Sequence, residues 1–230
     1  MRMMSLLVAT AIMSASVSPA LAKDEALAKA IAASHRTPAF VERDKARKPQ
    51  EELEFFGIKP AMTVVEILPG GGYWTEILAP YLKGNGTYYV AMPQRGIDAF
   101  RKKLDANPAV YDEVKVTPLG TDAEIAPAGS ADLVLTFRNV HNWMASGVAD
   151  RVFAAFFAAL KPGGVLVYET FTRAQAARGK PTNPAFLLES GELRRLVAPL
   201  EILASREGDY EGRMIASVIA IAPLRRAGRM

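Results

Sequence analysis

Continuous apolar runs alternate along this chain with stretches in which apolar positions return every third or fourth residue. Val64, Val65, Ile67 and Leu68 form the first run, interrupted by Glu66. A β-branched run of this kind predicts a central parallel strand buried on both faces. Trp74, Ile77, Leu78 and Leu82 then recur at helical spacing. "TYYVAM" (87–92) predicts a second strand, and "GIDAFRKKLDAN" (96–107) a helix ended by Asn107 and Pro108. "VKVTPL" (114–119) and "ADLVLTF" (131–137) predict the third and fourth strands. "VADRVFAAFFAAL" (148–160) predicts a helix closed by "KPGG" (161–164), and "VLVYETF" (165–171) the fifth strand. "SGELRRLVAPL" (190–200) reads as a short helix opened by Ser190 or Gly191. "LEILASREG" (200–208) and "RMIASVIAIA" (213–222) are two further strands, with "DYEG" (209–212) as their hairpin turn.

This alternation requires crossover helices and a right-handed, mostly parallel sheet. The predicted fold is a doubly wound α/β sheet of seven strands that ends in an antiparallel hairpin. Upstream, residues 23–50 read as a leading helix and cap segment, and "EELEFFGI" (51–58) as a short helix ending at Gly57. Residues 51–230 form one α/β domain with no dividing linker. Residues 1–22 stand apart from it. A basic start, "MRMM", precedes a run of apolar and small residues, and "ALA" at 20–22 has the form that signal peptidase cuts. The run is short of a membrane span. The expectation is a cleavable export signal ending at Ala22 and a periplasmic or secreted protein without stable membrane insertion.

Charge and composition remove several classes of function. The 28 basic and 24 acidic residues nearly balance, which argues against nucleic-acid binding. Cysteine is absent, so disulfides, thiol chemistry and cysteine-based zinc are excluded. His35 and His141 are the only histidines and lie far apart in sequence, so no metal site is expected.

Two short stretches carry candidate chemistry. In a doubly wound sheet, ligands sit beyond the carboxyl ends of the strands. The loop after the first strand reaches that crevice, and it is Gly70, Gly71 and Gly72. Glycines there allow positive φ and close approach of bare backbone to a ligand. Glu66, at the strand end, can organise the loop or accept hydrogen bonds. No Gly-Lys-Ser/Thr follows, so this is not a nucleotide-hydrolase phosphate loop, and Thr75 and Glu76 break the dinucleotide fingerprint. The second stretch is "FRNVHNW" (137–143), directly after the fourth strand and so at the same crevice. Arg138, Asn139 and His141 are the candidate catalytic residues, with His141 able to take a proton near neutral pH. Asn142, Trp143 and Tyr73 are candidates to hold an acceptor. Trp74 reads equally well as pocket wall or helix core, and Glu169 is a possible further polar contact. Arg43, Asp44 and Arg47 either lid the crevice or form a solvated helix face.

The stretch FFGIKP…VVEILPGGGYWTEILAPYL resembles the class I S-adenosylmethionine-dependent methyltransferases, and among them a group of exported bacterial "predicted methyltransferases". The resemblance covers about residues 50–222. It implies S-adenosylmethionine as cofactor and methyl transfer to a small-molecule acceptor. Glu66 takes the acidic place of the first motif, and Gly70 and Gly72 its second and third glycines. Leu68 stands where the first glycine belongs, a departure that narrows the space for the methionine part. Asp122 resembles the aspartate that reads the adenine amino group. The carboxylate that normally grips the ribose is absent from "YVAMPQ", where Gln94 is the nearest polar group. An exported binding or scaffold protein that kept this fold without turnover is the alternative. A nicotinamide-dependent oxidoreductase is a weaker third reading, opposed by the glycine spacing and the terminal hairpin.

Overall fold

A computed structural model describes residues 24–120, 123–137, 139–198, 200–210 and 213–223. Seven strands form one sheet in the order β3-β2-β1-β4-β5-β7-β6. They are β1 (Thr63–Ile67), β2 (Thr87–Met92), β3 (Lys115–Pro118), β4 (Ala131–Thr136), β5 (Leu160–Phe171), β6 (Glu201–Tyr210) and β7 (Arg213–Ile221). β1 to β5 run parallel, and β7 enters antiparallel between β5 and β6. The predicted seven-stranded, mostly parallel sheet with a terminal hairpin is thus the observed one.

Among the described residues four short helices precede the sheet: α1 (Glu25–Ile31), α2 (Pro38–Val41), α3 (Asp44–Arg47) and α4 (Pro49–Phe55). The leading helix expected from the Ala-rich stretch is α1; the cap segment after it is divided into α2, opened by Pro38, and α3, followed by Lys48 at a left-handed φ of 44° before Pro49 of α4. Asp24 caps α1 by accepting the Leu27 N–H. The crossovers are α5 (Thr75–Leu82), α6 (Gln94–Asp105), the single turn α7 (Pro108–Tyr111), α8 (Val140–Ala145) and α9 (Ala149–Ala159). α10 (Glu192–Leu196) leads into the hairpin. Among the described residues between β3 and β4 there is no helix, so strict alternation fails there. β5 also starts earlier than predicted, at Leu160, because "KPGG" continues the strand beside Ala131 through a register shift instead of closing a turn.

The period-2 alternation of β1 sorts the core into two layers. Val65 and Ile67 face α9, where Phe153 and Phe156 pack with Val134 and Leu166. Val64 faces α5 and α6, where Ile77, Leu78, Phe100 and Leu104 pack with Val90, Leu133 and Leu135. Leu27 of α1 and Leu53 of α4 extend this second layer, which fastens the leading segment to the domain. At the opposite edge of β1, Asp132 accepts the Thr63 N–H (2.8 Å) and pairs with Lys161, tying the starts of three strands together.

Gly86, in the turn before β2, has no room for a side chain. A Cβ there would lie 2.4 Å from the Met62 carbonyl and 2.5 Å from that of Pro60. Both obstacles are backbone, so Gly86→Ala is expected to cost about 2 kcal/mol in urea unfolding.

Candidate functional site

The loop from β1 to α5 turns at the carboxyl edge of the sheet. Its path needs three residues at positive φ: Leu68 (53°), Gly70 (59°) and Gly72 (92°). Leu68 therefore keeps the left-handed backbone that glycine usually supplies, at a strain of about 1–2 kcal/mol. Its N–H donates to the Ala91 carbonyl at 2.9 Å, carrying the β1–β2 pairing past the strand end. Its side chain packs against the α9-face core. A Cβ on Gly70 would meet nothing within 4 Å, so the loop shows bare backbone to open space there. Gly71 and Gly72 are covered: their Cβ positions would lie 3.1 Å from the Phe40 ring and 3.0 Å from the Lys103 side chain.

Glu66 does not reach out to a ligand as expected. Its position on β1 turns it into the α5-face core, 1% exposed. One carboxyl oxygen accepts the Thr75 hydroxyl (2.6 Å) and the Tyr88 hydroxyl. Burial pushes the Glu66 carboxyl up to about 7, against the opposing pull of Thr75, Tyr88 and the Arg47 charge. Burial and the neighbouring Glu66 hold the Tyr88 hydroxyl protonated. Glu66 is thus a buried strut that joins the β1 end, the first turn of α5 and β2. Thr75 and Tyr88 were not legible as its partners, because they meet it only when β1, β2 and α5 pack.

The leading segment packs against the loop, with Phe40 at Gly71 and Asp44 at Tyr73. Arg36, fully buried in its side chain, makes two hydrogen bonds to Asp44 (2.7 and 3.0 Å). Asp44 also accepts the Tyr73 hydroxyl at 2.6 Å. Burial raises the Asp44 carboxyl, but Arg36 and Tyr73 outweigh it and hold it below its ordinary value. Beside it, Glu76 accepts the N–H and hydroxyl of Thr37 and the Lys103 ammonium, each at 2.7 Å. Arg43, Asp44 and Arg47 all lie at the Tyr73 ring, so this stretch packs on the loop after β1, with Arg43 also exposed. Tyr73 itself is 3% exposed and held by this segment, so it is not free to wall an acceptor pocket.

The stretch after β4 divides. Asn139 donates to the Ile67 carbonyl (3.1 Å) and to the Thr136 hydroxyl (3.2 Å), pinning the β4 loop to the β1 end. Those bonds give Asn139 a positioning role at the ends of β1 and β4. Trp143 is 5% exposed and packs edge-on against Phe153 and Phe156, so it is core rather than acceptor wall. Asn142 is exposed on α8. Gln94 is exposed at the first position of α6, directly after β2 and Pro93. Arg138 and Asp122 lie outside the described residues, as do the side chains of His141 and Glu169. Trp74 is 3% exposed, stacked on Phe137 with centroids 4.5 Å apart.

No family model and no curated protein matches this sequence. Solved structures do. An S-adenosylmethionine-dependent methyltransferase from Aquifex aeolicus superposes with a TM-score of 0.63 at 19% identity, over 80% of this chain and 93% of its own. This chain has the class I methyltransferase fold. The PH0226 protein from Pyrococcus horikoshii OT3 superposes with a TM-score of 0.61 at 12% identity, over 82% of this chain and 93% of that one. The 4+2 cyclase SpnF does so with a TM-score of 0.56 at 12% identity, over 77% and 82%. A likeness of fold that takes in both a methyltransferase and a cyclase does not by itself dictate a reaction.

Proposed function

We propose that this protein binds S-adenosylmethionine at the Gly70–Gly72 loop and directs its methyl group to a small-molecule acceptor. The observation that carries the reading is the loop itself: positive φ at 68, 70 and 72, and open space beside Gly70, at the carboxyl edge of a class I methyltransferase sheet. The residues present fit the cofactor at that loop. Bare backbone there admits close approach, Gln94 stands beyond the β2 end for the ribose, and Asp122 is assigned to the adenine amino group. The bound cofactor would supply an electrophilic methyl group on a sulfonium centre. The chain's part is to orient the acceptor, exclude water and take the acceptor's proton. We assign that last role to His141, in the α8 segment that follows β4 in the chain, and assign Arg138, from the same stretch of sequence, to the same step. The reading includes export through residues 1–22 and kinship with the exported bacterial group.

A second reading has support of its own. The β2 end has no carboxylate, and Phe40 lies against Gly71, as suits an exported binding protein that kept the fold without turnover. Thermal unfolding with S-adenosylmethionine and with S-adenosylhomocysteine separates cofactor binding from its absence. A ligand at about 100 times its dissociation constant stabilises by about 2.7 kcal/mol, or roughly 5–10 °C for a chain of this size. The expected result is a shift of that order, abolished by Asp122→Ala. No shift at millimolar ligand overturns the cofactor assignment.

A further inference from the structure

We propose that Gln175 is a positioning residue for methyl transfer: its buried amide ties the loop from 172 to 188 to β7, and that loop holds α8, the helix that bears His141. The proposal rests on the methyl-transfer reading and names what sets the acceptor side of that site.

Two connections leave the sheet side by side. β4 and β5 are adjacent and parallel, so the stretch into α8 and the loop after β5 start from neighbouring carboxyl ends. The loop is closed at its neck. Thr172 N–H donates to the Met214 carbonyl (3.0 Å), Arg173 N–H to the Leu188 carbonyl (2.9 Å) and Leu188 N–H to the Phe171 carbonyl (3.1 Å). Compact surface loops with joined ends are frequently functional. The turn Pro184–Phe186 of this loop packs against α8. Leu188 and Trp143 of α8 enter the same α9-face core, so loop and helix dock together. α8 is only 6 residues long. A helix so short takes its place from what packs on it, because it is not stable alone.

Among the described side chains from 173 to 186, Gln175 alone is buried. Both ends of its amide are used. Oε1 accepts the Met214 N–H at 2.7 Å, near the start of β7, and Nε2 donates to the Lys180 carbonyl at 3.2 Å. Its backbone carbonyl accepts the Arg178 and Gly179 N–H groups at 2.8 and 3.1 Å. One side chain thus joins the sheet to the far limb of the loop. Arg173–Glu189 and Arg178–Asp209 also brace it, but exposed ion pairs contribute little. The loop buries little apolar surface over this span, so the buried amide decides whether its turn stays on α8. A displacement of about 1 Å in a group that takes part in transfer can cost about 100-fold in rate.

The test compares the whole protein with two variants. Gln175→Met keeps the volume and loses both side-chain hydrogen bonds, whereas Gln175→Glu keeps an oxygen for the Met214 N–H. Hydrogen exchange and the histidine ring resonances are read with and without S-adenosylhomocysteine. His35, the other histidine, is the internal control. In Gln175→Met the α8 amides are expected to exchange at least about tenfold faster while the β1–β4 amides keep their protection. The His141 ring resonance is expected to move and that of His35 to stay. S-adenosylhomocysteine affinity is expected to stay within about twofold, because the glycine loop shares no partner with Gln175. Gln175→Glu is expected to restore most of the α8 protection, which a space-filling role would not require. Phe186→Ala, at an exposed position of the turn, is expected to give the same α8 signature with Gln175 in place. Parent-like α8 exchange with an unmoved His141 resonance in Gln175→Met overturns the proposal. So does protection lost evenly across the sheet, because Gln175 is then a strut of the whole fold. Should Gln175→Met not fold, parent-like α8 exchange in Phe186→Ala overturns it alone. Failure of S-adenosylhomocysteine to bind the parent defeats the methyl-transfer reading instead, and the α8 readouts still decide whether Gln175 holds that helix.

Discussion

Asp44→Ala is expected to destabilise the protein by about 3 kcal/mol and to detach the leading segment from the glycine loop. The Arg36 side chain is fully buried, and Asp44 is its ion-pair partner. Removing one member of a buried pair leaves an uncompensated charge in low dielectric, at a cost of about 3–5 kcal/mol. The lower end applies because the Asp44 side chain is itself 21% exposed. The Tyr73 hydroxyl loses its acceptor in the same change. Hydrogen exchange should show residues 36–47 opening first in the variant, while the β1–β4 amides keep their protection. The pH dependence has a definite sign. The Asp44 carboxyl sits below its ordinary value of 3.8 in the fold. Its contribution is therefore fully present above about pH 4 and is lost as pH falls through the folded value. The variant should lack that acid-side loss. An unchanged acid profile would show that the cap is held by apolar contacts alone.

Glu66→Gln carries the opposite sign. Glu66 is raised from 4.5 to about 7 by burial, so the folded state favours the neutral form. Its contribution is complete below about pH 4.5 and is lost as pH rises through 7. A shift of this size corresponds to about 3 kcal/mol between the two limits. Glutamine keeps a carbonyl oxygen for the Thr75 and Tyr88 hydroxyls and never ionises. The variant should therefore match the parent within about 1 kcal/mol near pH 4.5 and exceed it by about 3 kcal/mol near pH 8. Urea unfolding across that range is the measurement. Equal stability at both ends would mean that Arg47, whose charge opposes the shift, neutralises the carboxylate in place.

Both predictions turn on residues whose importance was only half legible. Glu66 and the three glycines stand out in the sequence because an acidic residue closes an apolar run just before a turn. What Glu66 touches did not follow from that pattern. Thr75 is nine residues away and Tyr88 is 22, and the sheet register that sets Val64 beside Tyr88 brings them together. Trp143 sat in a polar stretch and looked like a site residue, yet α8 carries it into the α9-face core. Asn139 stood out by its polar company, and what the pattern did not reveal is that its amide N–H group donates to two strand ends.

The strands and most of the crossover helices followed from local periodicity, because burial on two faces or one imposes a period that a single chain displays. The parallel order of β1 to β5 and the terminal hairpin followed from the spacing of those elements, since short connections leave few ways to close a sheet. Packing between distant segments left no such trace. The fold of residues 36–47 onto Tyr73, the inward turn of Glu66 and the left-handed backbone at Leu68 depend on contacts across dozens of residues. Local sequence encodes which faces are apolar, whereas pairing of buried charges and donors is decided only when those faces meet.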